Sequence, residues 1–162
     1  MLNLLFFTYK YNMKNKIVLT QIMKNESHVA NRMLDSIKNV VDALCIVDTG
    51  SNDNSIEIVK KWGEQNDIET YVYEKKFDNF ENCRNYSIEK AKENFLNREN
   101  EKWFGFWIDF DEELIVSDDF KKQNLIKDFY MINVYLNNLK YTRNEIFNLS
   151  KDIKFYGPVH EY

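Results

Sequence analysis

The chain has 162 residues, with 22 Lys+Arg against 26 Asp+Glu and a formal net charge of −4 with both histidines neutral. An acidic chain without a basic run is poorly suited to clamping a nucleic-acid backbone, where affinity comes mainly from Lys and Arg neutralising phosphates. At 44% hydrophobic residues with one Pro and four Gly, disordered and collagen-like classes are excluded. A chain near 150 residues buries roughly 70% of its unfolded surface, so one globular unit over 1–162 is expected.

In chain order, Leu4-Leu5-Phe6-Phe7 is apolar but interrupted by Tyr9, Lys10 and Tyr11, far short of the roughly 20 residues that span a bilayer. It is not read as a membrane anchor, nor does it have a charged leader with a small-residue cleavage site; residues 1–13 are read as disordered or non-core. Ile17 to Ile22 is an apolar, β-branched run of the kind that makes a fully buried strand. From Ser27, a candidate N-cap, the apolar residues Val29, Met33, Ile37 and Val40 recur at helical spacing. Ala43 to Val47 is a second buried strand, stopped by the turn formers Asp48 to Asp53, and Ile56, Val59 and Trp62 resume a helix with Gly63 as its expected C-terminal cap. Ile68 to Tyr73 alternates like a strand, 81–98 reads as a helix, and Trp103 to Ile108 is a further buried strand ending at Asp109. Beyond Leu114 the pattern predicts a helix from about Asp118 to Phe129, a strand at Tyr130 to Leu136 and a hairpin partner near Lys140 to Thr142.

Strands alternating with helices imply an α/β fold, with a largely parallel sheet covered on both faces. In such sheets the loops leaving the carboxyl ends of the strands build the ligand crevice. The polar clusters Lys24-Asn25-Glu26, Asp48-Thr49-Gly50-Ser51 and Asp109-Phe110-Asp111-Glu112 all fall at such ends. Cys45 and Cys83 are too few for a disulfide framework and lack metal-type spacing, so both are read as small buried apolar side chains in a reducing, cytoplasmic compartment.

Asp109 and Asp111, one residue apart at a strand terminus, offer hard oxygen ligands to Mg²⁺ or Mn²⁺, or form a solvated turn. Asp48 can accept from a nucleobase N–H or a ribose hydroxyl while Gly50 permits a tight turn, or the segment is a plain turn whose Ser51 or Asp53 caps the next helix. Arg84 pairs with an acid or with a phosphate. His28 is expected to be solvated, and His160 follows a turn near the chain end as a candidate nitrogen ligand. Neither G-x-G-x-x-G nor G-x-x-x-x-G-K-[ST] occurs, which argues against Rossmann dehydrogenases and P-loop NTPases.

Five segments in this order carry a resemblance: Met23-Lys24-Asn25-Glu26, Val47-Asp48-Thr49-Gly50-Ser51-Asn52-Asp53, Phe80-Glu81-Asn82-Cys83-Arg84-Asn85, Ile108-Asp109-Phe110-Asp111-Glu112 and Gly157-Pro158-Val159-His160-Glu161. From about Lys16 to Glu161 the chain resembles glycosyltransferase family 2, in its tetratricopeptide-associated, sublancin-type subgroup. The resemblance implies a GT-A type, Rossmann-like α/β/α sandwich. It implies transfer of a sugar from a nucleoside diphosphate sugar, most often a uridine one, to an acceptor hydroxyl, thiol or amine with inversion. On this analogy Asn25, Glu26, Asp48, Gly50, Ser51, Arg84 and Asp109 bind the nucleotide sugar, and Asp109, Asp111 and His160 hold Mn²⁺ or Mg²⁺. The acceptor class, whether glycan, protein or lipid-linked, is left open.

Two departures from the family pattern stand out. Phe110 occupies a position that is often small in relatives, which implies a narrowed donor pocket or a changed sugar preference. Relatives usually continue past the His-Glu pair through segments that close the acceptor site, whereas this chain stops at Tyr162. Inversion needs a general base, for which Glu112 and Glu161 are the candidates. Two other readings stand beside this one: a nucleotide-binding remnant completed by a partner chain or oligomer, and a haloacid-dehalogenase-like phosphatase.

Overall fold

A computed structural model describes residues 13–157, so His160, Glu161 and the first twelve residues of the proposed non-core segment lie outside the described residues. In chain order the elements are β1 (Lys14–Met23), α1 (Ala30–Ile37), β2 (Ala43–Asp48), α2 (Ser55–Asn66), β3 (Glu69–Glu74), α3 (Phe80–Phe95), β4 (Glu101–Phe106), β5 (Phe129–Leu136) and β6 (Leu139–Asn148). The sheet has the order β3-β2-β1-β4-β6-β5. β1, β2, β3 and β4 run parallel, while β6 pairs antiparallel with both β4 and β5. This is the expected α/β class with a largely parallel sheet.

All six residues of β2 are buried, because a central parallel strand has helices over both faces and needs apolar side chains on each. Leu44 and Ile46 join the core built with Met33, Leu34 and Val59 of α1 and α2. Ala43 and Cys45, pointing the other way, join Ile88, Ala91 and Phe95 of α3. Both cysteines are free and buried, as expected, and burial pushes the Cys45 thiol up to about 12.

Several local readings are corrected. Ser27 does not cap α1: the helix starts at Ala30, Val29 precedes it without a side-chain cap, and the Ser27 N–H instead donates to Asp53 Oδ2 at 3.1 Å. Gly63 lies inside α2, which runs on to Asn66 and is closed by Asp67 at φ 54°. Its glycine is required by packing, since a Cβ there would overlap the Thr70 hydroxyl. The helix expected over 118–129 is reduced to a single 3₁₀ turn at Lys122–Asn124. Asn15 Nδ2 of β1 takes the carbonyls of Lys122 (2.8 Å) and Leu125 (3.0 Å), and Lys122 Nζ pairs with Asp42 at 2.7 Å, so tertiary partners replace the helical ones. β4 ends at Phe106 rather than Ile108, and the hairpin partner β6 is longer than expected because it also pairs with β4.

Gly105 in β4 faces the Phe147 ring of β6, which a Cβ would overlap. Gly105→Ala is expected to cost about 1–3 kcal/mol through overpacking, and trimming the ring with Phe147→Leu in the same chain should recover part of it. Thermal denaturation of the two single variants and the double variant checks this; strictly additive losses would show that the two positions do not touch.

Candidate functional site

The register aligns Met23 with Asp48 at the carboxyl ends of β1 and β2, so the loops that follow lie side by side. They are stitched together by polar groups that the sequence singled out. Asp48, only 3% exposed, accepts the N–H groups of Gly50 (3.0 Å) and Ser51 (2.9 Å) on Oδ2 and the Ser51 hydroxyl on Oδ1. Gly50 turns at φ 108°, in the left-handed region that favours glycine. Asn25 donates its N–H to Ser51 Oγ (2.9 Å), and its Oδ1 accepts the Asn52 N–H (2.8 Å). Asp53 accepts from Ser27 and Ser55, whose hydrogen bonds hold its carboxyl well below the usual range. Asn25, Asp48, Gly50 and Ser51 therefore form one constellation.

The loop leaving β4 alternates its side chains. Phe110 turns into the core at 3% exposure, while Asp109 and Asp111 face outward. Phe110 thus anchors the loop, and it is not a lining residue of the adjoining cavity. That cavity, about 960 Å³, is lined by Asp109, Asp111 and Trp107 together with hairpin residues such as Val134, Tyr141 and Glu145. Asn25, Glu26, Asp48, Gly50, Ser51 and Arg84 are not among its lining residues. Glu26 is nonetheless close to the acidic pair. Burial raises its carboxyl pKa, His28 opposes this, and the charges of Asp111, Asp53 and Asp109 add to the rise. His28 itself is exposed, as expected. Arg32 of α1 ties the loop down through the Asp111 carbonyl (3.0 Å) and the Glu113 carboxylate (2.9 Å).

Arg84 lies over the Trp107 ring at 4.6 Å, with Phe80 and Phe155 at 5.3 and 5.4 Å. Burial pulls its pKa below the usual value, the charges of Asp109 and Glu145 oppose that shift, and Arg143 adds to it. It therefore belongs to the same electrostatic neighbourhood as Asp109. Glu112 does not stand as a free base: both its oxygens accept from Arg143 Nη2 (2.9 and 2.7 Å), and Oε2 also accepts the Asp109 N–H at 3.1 Å.

Three residues of the site were not singled out from the sequence. Gln21, 1% exposed in β1, donates Nε2 to the Ile108 carbonyl (2.6 Å) and to Asp109 Oδ1 (3.1 Å). A glutamine inside a buried strand must find partners, and that signal was present. Arg143 and Glu145 of β6 carried no comparable signal, since the Glu112 that Arg143 meets lies 31 residues upstream. Glu145 is 3% exposed, and Arg143 Nε donates to its Oε1 at 2.5 Å. Its Oε2 is buried with no hydrogen-bond partner among the described residues.

Burial pushes the Glu145 carboxyl up to about 7, against the lowering effect of Arg143. Between the ordinary value of 4.5 and about 7, the folded chain keeps a proton that the unfolded chain has released. This group's contribution to stability is then complete below the lower value and lost as pH rises through the upper one. Denaturation midpoints are expected to fall across that window and Glu145→Gln to flatten the fall; an identical slope in the variant would contradict the assignment.

Among the described residues, no group of three or more His, Cys, Asp or Glu side chains is placed to hold a metal ion. The donor set still suits a hard cation of the Mg²⁺ type, which commonly takes one or two carboxylates and completes its shell with water and substrate phosphates. Asp109 and Asp111 are the carboxylates that would hold it. No helix among the described residues is long and apolar enough to cross a membrane.

A family model described as "Glycosyl transferase family 2" matches residues 22–113, from the end of β1 through the acidic loop. Solved structures similar to the chain include the crystal structure of S. aureus TarS, at 19% identity and a TM-score of 0.45, covering 61% of this chain and 17% of that one. The crystal structure of S. aureus TarS 1-349 matches at 20% identity and a TM-score of 0.43, covering 61% of this chain and 28% of that one. The chain thus spans less than a third of either TarS chain. No curated protein matches.

Proposed function

The chain belongs to glycosyl transferase family 2, and on that premise we propose that it binds a nucleoside diphosphate sugar, a UDP-sugar, and transfers the sugar to an acceptor with inversion. The observation that carries the reading is the acidic pair: Asp109 and Asp111 stand at the carboxyl end of β4, at the wall of a cavity, within the matched segment. The β1–β2 loop constellation lies beyond the ends of the neighbouring strands.

In this reading the two loops divide the donor. Asp48 has three of its roughly four lone-pair positions taken by Gly50 and Ser51, and the remaining one would accept a uracil N–H. Asn25 and Ser51 hold the turn that presents it. Asp109 and Asp111 would hold the divalent cation, Mn²⁺ or Mg²⁺, which when bound would supply positive charge to the departing diphosphate, an effect of several kcal/mol on the transition state. Without a cation those carboxylates would repel the diphosphate. Arg84, a half-buried guanidinium in the field of Asp109, would add positive charge beside the same group.

Calorimetric titration with UDP, with and without Mn²⁺, tests the reading, together with UDP release from UDP-sugars. Cation-dependent binding is expected, and no binding under either condition would overturn it. Binding without turnover, restored by a second chain, would select the nucleotide-binding remnant instead. The phosphatase reading is the weaker one, because its acidic pair normally follows the first strand and here follows β4.

A further inference from the structure

Arg143 on β6, with Gln21 on β1, fastens the acidic loop to the sheet. Phe106 pairs with Ile146, and beyond it the Trp107 N–H donates to the Glu145 carbonyl at 2.8 Å. β6 therefore runs on past the end of β4 and brings Arg143 alongside the loop. There Nη2 donates to both Glu112 oxygens (2.9 and 2.7 Å), Nε donates to Glu145 (2.5 Å), and Nη1 stands 3.8 Å from Asp109 Oδ2. The turn itself is closed by the Glu112 N–H on the Asp109 carbonyl (3.0 Å) and by Glu112 Oε2 on the Asp109 N–H (3.1 Å). Asp109 is thereby approached from both sides, by Gln21 on Oδ1 and by Arg143 on Oδ2.

Resting on the reading of this site as a nucleotide-sugar site, we propose that Arg143 is a positioning residue. It docks the Asp109–Glu112 turn onto β6 through Glu112 and so fixes the direction in which the Asp109 carboxylate meets the donor's diphosphate and its cation. Two physical features set this apart from a pair that serves stability alone. One guanidinium faces three carboxylates, so the cluster retains an excess of negative charge at the cavity wall, where a cation would be attracted. The planar fork of Arg also specifies orientation as well as charge, which the point charge of Lys does not. Glu112 is consequently a clamp between Arg143 and the Asp109 backbone, and its carboxylate is committed to that task.

The test is calorimetric titration of the full chain with UDP in the presence and absence of Mn²⁺, for the wild type and for Arg143→Lys, Glu112→Gln, the double variant and Asp109→Asn. Lysine keeps a cation beside buried Glu145 and so limits the structural cost. Outer partners of metal-binding carboxylates typically contribute about 10–100-fold to affinity. Arg143→Lys and Glu112→Gln are each expected to weaken cation-dependent UDP binding by that order, with UDP binding in the absence of Mn²⁺ unchanged. Because both disturb the Arg143–Glu112 contact, the loss in the double variant should be smaller than the product of the two single losses. If Arg143→Lys fails to fold by circular dichroism, Glu112→Gln alone decides, since that side chain is partly exposed. Wild-type affinity in the single variants, with binding lost in Asp109→Asn, would overturn the proposal, as would strictly multiplicative losses. If the wild type itself does not bind UDP, it is the functional reading that fails.

Discussion

Replacing Asp111 with alanine is expected to abolish Mn²⁺-dependent UDP binding and to lower sugar transfer by about 100-fold or more, with the melting temperature unchanged. The magnitude follows from losing one of two carboxylates that would hold a cation, whose stabilisation of the leaving group amounts to several kcal/mol at about 1.4 kcal/mol per factor of ten. The unchanged stability follows from position: Asp111 is exposed, while its neighbour Phe110 supplies the anchorage in the core. Calorimetry and a UDP-release assay on the same preparation check both halves. Unaltered cation-dependent affinity would remove Asp111 from the site.

Phe95→Ala should be the most damaging of the single core substitutions considered, at about 3–5 kcal/mol for a fully buried phenylalanine, or roughly 6–20 °C in melting temperature. Phe95 ends α3 and packs against Trp103 of β4 (ring centroids 4.4 Å apart) and edge-on to Tyr71 of β3 (5.8 Å). It therefore joins the helix to two strands of the sheet. The same helix carries Arg84 near its start, so a loosened α3 should also weaken UDP binding at temperatures where the protein remains folded. Denaturant unfolding followed by fluorescence measures the first effect. A loss under about 1 kcal/mol would contradict the packing of α3 described above.

Legibility in the sequence was uneven, for reasons that differ by element. β2 was legible as a run because a central parallel strand has no solvent face and thus no polar positions. The acidic pair was legible because Asp109 and Asp111 follow such a run directly, where the chain leaves the sheet. The helix expected over 118–129 failed because the competing partners, Asn15 and Asp42, lie far away in sequence and bind that segment's backbone and Lys122. Gly63 has the composition of a cap and the location of a packing contact, and only the approach of Thr70 distinguishes them.

By itself the sequence determined the alternation of strands and helices, the burial of both cysteines and the placement of every polar cluster at a strand's carboxyl end. These follow from local periodicity and from the apolar demand of a sheet covered on both faces. Tertiary structure alone decided which clusters meet and what occupies their charges. The register of β1 on β2 sets Asn25 beside Ser51, and the insertion of β6 between β4 and β5 brings Arg143 to Glu112 and Asp109. Such contacts depend on strand order, which no short window of sequence encodes. For the same reason Glu112, free in the sequence, is committed in the fold, and Arg143, without a role in the sequence, acquires one.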